Sequence, residues 1–319
     1  MSPRTRQGRA RTTTRWLPAF VLVVLAAVAC GKIAGIDDLE IGECKGGPCA
    51  VEAGTETGII TDPVEDSGIP PNLEASVPDV SAIPCPPTDG GPTMVRVGTP
   101  TNNFCIDSTE VTVKQYRDFT TKKGNDTSGQ PPQCAWNTDY TAGLGGNDDI
   151  PIAGIDWCDA YAFCQWAGKR LCGKQVADKF AGPVPTSGLG DFTSNEWLIA
   201  CTLNGQLLYP YGATHQPTAC NTGDVDAGRT VAVGSKPGCN GGFPGVYDML
   251  GNLWEWYDGP CPPPDAGADA GDGGPAKHEC FVKGGAFLTA GPNINCRVDG
   301  RGASRDRRAQ DIGFRCCAD

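Results

Sequence analysis

Hydrophobic positions in this chain fall into a few short helical runs, separated by long stretches with no period at all. Thr109 to Thr121 sets Val113, Tyr116 and Phe119 near one face behind a Ser108/Thr109 cap, which predicts a first helix. Asp156 to Leu171 predicts a second, capped by Asp156 and turning Trp157, Tyr161, Cys164 and Gly168 inward. Ser194 caps a third predicted helix that runs through Cys201. Residues 122 to 150 are Gly-, Asn- and Asp-rich loop, and Cys172 to Thr193 separates the second helix from the third. The rest reads as short strands and Gly-rich turns. That is a mixed α+β pattern, with no internal repeat, which needs loops, bridges or ions to hold it.

Upstream of this region the composition changes. Residues 31 to 84 contain no Phe, Trp or Tyr and are rich in Gly, Pro, Asp and Glu. Such a segment buries too little apolar surface to offset chain entropy, so 30–84 is expected to be a disordered acidic tether. Before it, Arg4, Arg6, Arg9, Arg11 and Arg15 precede an apolar run from Trp16 to Ala29. The run is shorter than the roughly 20 residues of a membrane span and reads as an export signal over 1–29. It ends Ala27-Val28-Ala29-Cys30, which resembles a bacterial lipobox. That resemblance implies lipidation of Cys30 and membrane anchoring through the lipid, since two or more acyl chains hold where one does not. Gly31 after the Cys points to an outer-membrane lipoprotein of the cell envelope; the rival is ordinary cleavage at a small-residue site. Residues 85–319 are then one folded domain, large enough for a single core. A formal net charge of -11 argues against nucleic acid as a partner.

Seventeen cysteines in an exported chain point to disulfides. Setting Cys30 aside leaves an even number, and no C-x-x-C pair supports a zinc ribbon or a thioredoxin-like centre. Cys261 and Cys280 flank an acidic insert (261–280) that a bridge would staple, Cys44 and Cys49 would close a small ring, and Cys220–Cys239 is a further expected pair.

The densest chemistry lies in Gly245-Val246-Tyr247-Asp248-Met249-Leu250-Gly251-Asn252-Leu253-Trp254-Glu255-Trp256. Asp248 and Glu255, with the carbonyls of Gly251 and Leu253 between them, offer four oxygens to one hard cation. The competing reading is a buried Trp-rich turn whose polar groups pair internally. Both stay open on the residues alone.

A wider set of motifs resembles the formylglycine-generating enzyme (sulfatase-modifying factor) family. In order they are Phe104-Cys105-Ile106-Asp107-Ser108-Thr109-Glu110-Val111-Thr112; Pro151 to Trp157, with Asp159 to Leu171; Asn195-Glu196-Trp197; Tyr209-Pro210-Tyr211-Gly212; the stretch 245–256; Lys283-Gly284-Gly285-Ala286-Phe287; and Gly313-Phe314-Arg315-Cys316. The resemblance covers residues about 94 to 319. It implies an elaborated C-type-lectin-like α+β domain with core bridges Cys164–Cys316 and Cys201–Cys296. Two structural calcium sites are also implied: one on Asp248, Gly251, Leu253 and Glu255, the other on Asn221 and Thr222 with Asp224 or Asp226.

The family's oxidase holds copper(I) on two cysteines just after the Gly-Gly motif and converts a substrate cysteine to formylglycine. The matching positions here are Thr289 and Ile294. Neither can replace a thiolate, so copper is not expected, no catalytic residue carries over, and a binding or scaffold module for a protein, peptide or glycan is expected instead. A working oxidase or divergent oxidoreductase is the rival, and a calcium-dependent lectin-like binder the third reading. His215 and His278 would both be needed for an iron facial triad, and no nucleophile elbow supports a serine hydrolase around His215. Arg297, Arg301, Arg305, Arg307 and Arg308 read as surface charges offsetting acids rather than as an anion site. Trp136, Trp254 and Trp256 read as core rather than groove.

Overall fold

The computed structural model describes residues 80–225, 227–262, 279–298 and 302–319. The export signal, Cys30, Cys44, Cys49, Asp226, residues 263–278 with His278, and Arg301 lie outside the described residues. The described chain starts within the expected tether: Val80 is buried, and Arg96 donates to the Pro84 carbonyl.

Among the described residues there are ten strands, three α-helices and five single-turn 3-10 helices. One sheet runs β1 (Met94–Thr99), β2 (Asn102–Asp107), β10 (Cys316–Ala318) and β3 (Arg170–Leu171), all antiparallel. A second runs β8 (Gly302–Ser304), β7 (Glu279–Lys283), β6 (Trp254–Trp256) and β9 (Ile312–Phe314), with β6 and β9 parallel. β4 (Gln175–Val176) and β5 (Lys179–Phe180) form a hairpin in the segment between the second and third helices.

The helices occupy the expected regions, but tertiary pairing trims them. α1 is Val113–Lys123, capped by Thr112 in a reciprocal box with Gln115 rather than by Ser108 or Thr109. Val111 cannot join the helix because its N–H donates to Phe314 and its carbonyl accepts from Ile152. α2 is Trp157–Trp166, with Asp156 and Asp159 in a second box. It stops short of Leu171 because Gly168 takes a positive φ of 72° and Arg170–Leu171 pair with β10. α3 is Glu196–Thr202, capped by Asn195; Ser194 instead donates to Asp191.

α1 and α2 pack an aromatic cluster against β9. Tyr116 and Phe163 stack at 6.0 Å, and Phe163 meets Phe314 edge-on at 5.2 Å. A second cluster gathers Phe104, Ile106, Trp197, Leu198 and Leu250 around α3 and β2. Seven disulfides join these parts: Cys85–Cys105, Cys134–Cys158, Cys164–Cys316, Cys172–Cys317, Cys201–Cys296, Cys220–Cys239 and Cys261–Cys280. Four are the pairs expected above. Cys164–Cys316 ties α2 to β10 across 152 residues of sequence. Replacing both of its cysteines by Ala should destabilise the chain by about 2–5 kcal/mol. Denaturant unfolding under non-reducing conditions checks this.

Candidate functional site

The motif residues converge where the two sheets meet. Arg315, the residue between β9 and β10, is fully buried. Its guanidinium donates to both carboxylate oxygens of Glu255 on β6, at 2.7 and 2.8 Å, and to the carbonyls of Asp107 and Tyr247. Trp197 of α3 donates its indole N–H to Glu255 at 2.8 Å. Glu255, offered above as a calcium ligand, is therefore engaged by an arginine fork and an indole.

Two more carboxylates lie close by. Glu110 accepts from the side chain of Asn252 at 2.8 Å and from the Leu253 N–H at 3.0 Å. Asp248 accepts from the Gly234 N–H at 2.6 Å. Burial, the neighbouring Asp248 and Glu255 charges push the Glu110 carboxyl well up. Asp248 is raised to about 6, chiefly by burial, with Arg315 pulling the other way. Three carboxylates thus share one guanidinium. The segment of four candidate oxygens is bent around them: Gly251 has φ 80°, where a Cβ would lie 2.4 Å from the Asn221 carbonyl. The internal-pairing reading accounts for Glu255, but it leaves Glu110 and Asp248 short of positive charge, a deficit that a hard divalent cation on Asp248, Gly251, Leu253 and Glu255 would relieve.

Asn221 stands beside this centre. Its amide N–H donates to the Asn252 side chain and the Arg229 carbonyl, while its oxygen Oδ1 is buried without a hydrogen-bond partner. An orphaned side-chain oxygen next to the Thr222 carbonyl suits a cation ligand. Asp224, one of the two carboxylates offered for that set, accepts from the Gly291 N–H at 3.0 Å and faces His215 Nε2 at 3.2 Å.

The Gly-Gly motif opens a pocket of about 200 Å³ lined by Trp254, Gly285, Thr289, Ala290, Ile294 and Val298 among others. Gly285 has φ 76°, and a Cβ there would lie 2.3 Å from Ile294. The loop is pinned by the Thr289 carbonyl accepting from Gly223 and by Tyr209 donating to Pro292. Both positions matched to the copper cysteines, Thr289 and Ile294, line this pocket. The Thr289 hydroxyl accepts from the Ala286 N–H, and Ile294 presents hydrocarbon. Copper(I) favours thiolate pairs, so this donor set does not fit it. Cys296, the nearest cysteine in sequence, is bridged to Cys201, and Cys317 is bridged to Cys172. All fourteen cysteines among the described residues are in the seven disulfides.

The other singled-out residues separate. Arg308 pairs with Asp156 and Asp159, Arg305 stacks over Trp157, and Arg297 lies over Phe192. They do not form one anion site. Trp254 lines the pocket, Trp256 is buried in the core and Trp136 is exposed.

A disulfide-braced α+β domain with a buried acidic centre beside a Gly-Gly pocket is the class these features define. Residues 90–319 match the sulfatase-modifying factor enzyme 1-like domain, and the chain belongs to that family. It is similar to the inactive C-alpha-formylglycine-generating enzyme 2 of Mus musculus, 28% identical over 59% of this chain and 56% of that one. The formylglycine-generating enzyme of Mycobacterium tuberculosis is 33% identical over 53% of this chain and 57% of its own. The chain thus spans about half the length of the curated relatives it matches. Among solved structures, CarF is 17% identical, covering 72% of this chain and 95% of its own at a TM-score of 0.42. PvdO from Pseudomonas aeruginosa is 18% identical, covering 68% and 80% at 0.41.

Sequence reading missed the Arg315–Glu255–Trp197 fork and the part of Glu110. Each of these residues sits inside a quoted motif, but the motifs lie far apart in sequence. Replacing Arg315 by Leu strands the Glu255 carboxylate in the core and should cost about 3–5 kcal/mol. Arg315→Lys, which keeps charge but loses the fork, should fall between. Urea unfolding of both variants checks the order.

Proposed function

We propose that this chain is a lipid-anchored cell-envelope protein whose formylglycine-generating-enzyme-like domain serves as a non-catalytic binding or scaffold module. The observation that carries the reading is the pocket behind Gly284–Gly285, where Thr289 and Ile294 stand at the positions matched to the thiolate pair. A hydroxyl already bonded to a backbone N–H and a branched hydrocarbon offer no soft ligand and no redox chemistry. Relatives named as inactive accompany those named as the enzyme, so the domain is compatible with either role. The lipobox-like Ala27-Val28-Ala29-Cys30 supports an outer-membrane anchor. The pocket's small, mainly apolar lining suits an apolar side chain of a protein or peptide.

In the same reading calcium is a structural ion. It would be held by Asp248 and Glu255 with the carbonyls of Gly251 and Leu253, adding positive charge beside Asp248 and Glu110, and a second ion would be held by Asn221 and the Thr222 carbonyl, with Asp224 or Asp226 as the carboxylate.

Two outcomes test this. Anaerobic titration with copper(I) should show no tight stoichiometric site, and a Cys-x-Pro-x-Arg peptide should yield no aldehyde. Tight copper with aldehyde formation would establish the oxidase instead.

The calcium reading has a pH signature. Asp248 has a folded value of about 6 against an ordinary 3.8. Between those values the native state holds more protons than the unfolded chain, so without metal this group's contribution makes stability fall as pH rises through that window. A bound cation favours the ionised form and removes that loss. The calcium-induced rise in Tm should therefore be larger near pH 7.5 than near pH 5. It should vanish with chelator and shrink in Asp248→Ala. A rise that ignores pH and the substitution would place the ion elsewhere.

A further inference from the structure

Residues 137–141 run from α2 to α1 as a strap. At one end Asn137 donates to the Asp159 carboxylate of α2 at 2.9 Å. At the other, the buried Tyr140 packs on Phe119 of α1 at 4.9 Å between ring centres, and its carbonyl accepts from the Tyr116 hydroxyl at 3.3 Å. The Tyr140 ring stands between two hollows. One, beside α2, is a cavity of about 240 Å³ walled by Tyr140, Tyr161 and Trp166, with Trp166 packed in turn on Phe119 and Phe163 at 5.5 Å each. The other is smaller and lined by Thr120, Asn125, Ala142 and Leu144. Tyr140 is the one described residue common to both linings, so lifting the strap joins them.

The Cys134–Cys158 bridge tethers the chain just before the strap to α2. The strap itself is latched by Arg308, in the turn between β8 and β9. That guanidinium donates to the Thr141 carbonyl at 2.8 Å and lies 3.6 Å from the Asp139 carboxylate. It also donates to Asp156 at 2.9 Å and pairs with Asp159 at 3.2 Å, the two carboxylates of the α2 capping box.

Charge does not balance at this latch. The Asp156 and Asp159 side chains are wholly buried, whereas Arg308 keeps 32% of its side chain exposed and is shared with Asp139. Among the described residues no second cation faces the pair. Tyr116 from α1 and Tyr140 from the strap are neutral phenols held up by burial, and Arg305, on the same turn as Arg308, lies over the Trp157 ring at 5.2 Å. The first turn of α2 adds only the partial charge of its N–H groups. Two carboxylates crowded into one buried site resist ionising together. Burial and the Asp156 charge accordingly raise Asp159 from an ordinary 3.8 to about 7, against the pull of Arg308 and Asn137.

A lifted strap admits water and returns the pair to ordinary acidity. The closed form then holds more protons than the lifted one between about 3.8 and 7, so closure is favoured on the acid side and lost as pH rises through that window. We propose that residues 137–141 are an acidity-controlled strap, closed while Asp156 and Asp159 share a proton and released when both are charged, with Arg308 as the latch and Tyr140 as the partition between the two hollows. No residue of the acidic centre or the Gly-Gly pocket takes part, so the inference stands whether or not that pocket is catalytic.

The test is hydrogen–deuterium exchange of the full chain in detergent at pH 5, 6 and 7, corrected for intrinsic rates. The amides of Ala135, Asn137 and Leu144, bonded to the Pro132, Cys134 and Ala142 carbonyls, report on the strap. Their opening should rise roughly tenfold from pH 5 to pH 7, since one proton allows at most tenfold per pH unit. Asp159→Asn, which is uncharged throughout, should flatten that profile and keep the strap closed at pH 7, with wild-type exchange in β1 and β2. Arg308→Gln, on the exposed turn, should open the strap further at pH 7 than at pH 5. Level exchange across this range in the wild type, an equally steep profile in Asp159→Asn, or equal opening at both pH values in Arg308→Gln would overturn the proposal.

Discussion

Arg315 is where the chain passes from one four-stranded sheet to the other, and much of the fold depends on that passage being made by a charged side chain. Its fork holds Glu255 on β6, while its remaining donors reach the Asp107 and Tyr247 carbonyls. One step on, the Cys316 N–H donates to the Asp107 carboxylate, whose other oxygen takes the Lys169 ammonium at 2.6 Å. Asp107, Lys169, Glu255 and Arg315 are all buried, so each depends on its partner for solvation. A hydrophobic seam at this junction would let the sheets slide. A directional network fixes one registry, which the Gly-Gly pocket and the acidic turn then inherit.

The sequence made the regions of the helices legible because Val113, Tyr116, Phe119 and Asp156 carry a strong local pattern. It misplaced two caps and one helix end because those choices were made at a distance. Phe314 draws Val111 into backbone pairing, and β10 draws Arg170 and Leu171 out of α2. Of the candidate site, the oxygen-rich turn and the loss of a thiolate pair were readable, since both are matters of residue type at stated positions. What Glu255 bonds to was not, because Trp197 and Arg315 stand 58 and 60 residues away in sequence.

Two pockets of similar size thus sit on one framework with different chemistries. The one behind Gly284–Gly285 is shaped by backbone, with Gly285 admitting Ile294 where a Cβ would collide. The one beside α2 is shaped by aromatic side chains that also build the core. Changes in the first alter its lining without disturbing the helices, whereas changes to Trp166 in the second reach Phe119 and Phe163 directly. A family domain can therefore exchange its first pocket's chemistry while its hydrophobic frame stays put.

The adjacent cysteines at the start of β10 set an order on maturation. Cys316 and Cys317 take partners at Cys164 and Cys172, only eight residues apart, and β10 lies between β2 and β3 in the sheet. During synthesis Cys164 and Cys172 emerge well before either partner, with a thiol neighbour at hand and an inner strand of the sheet, β10, still missing. Acquiring the native pairing requires that this early couple stay reduced or be reshuffled. The yield of correctly folded protein is thereby tied to the thiol-exchange capacity of its surroundings.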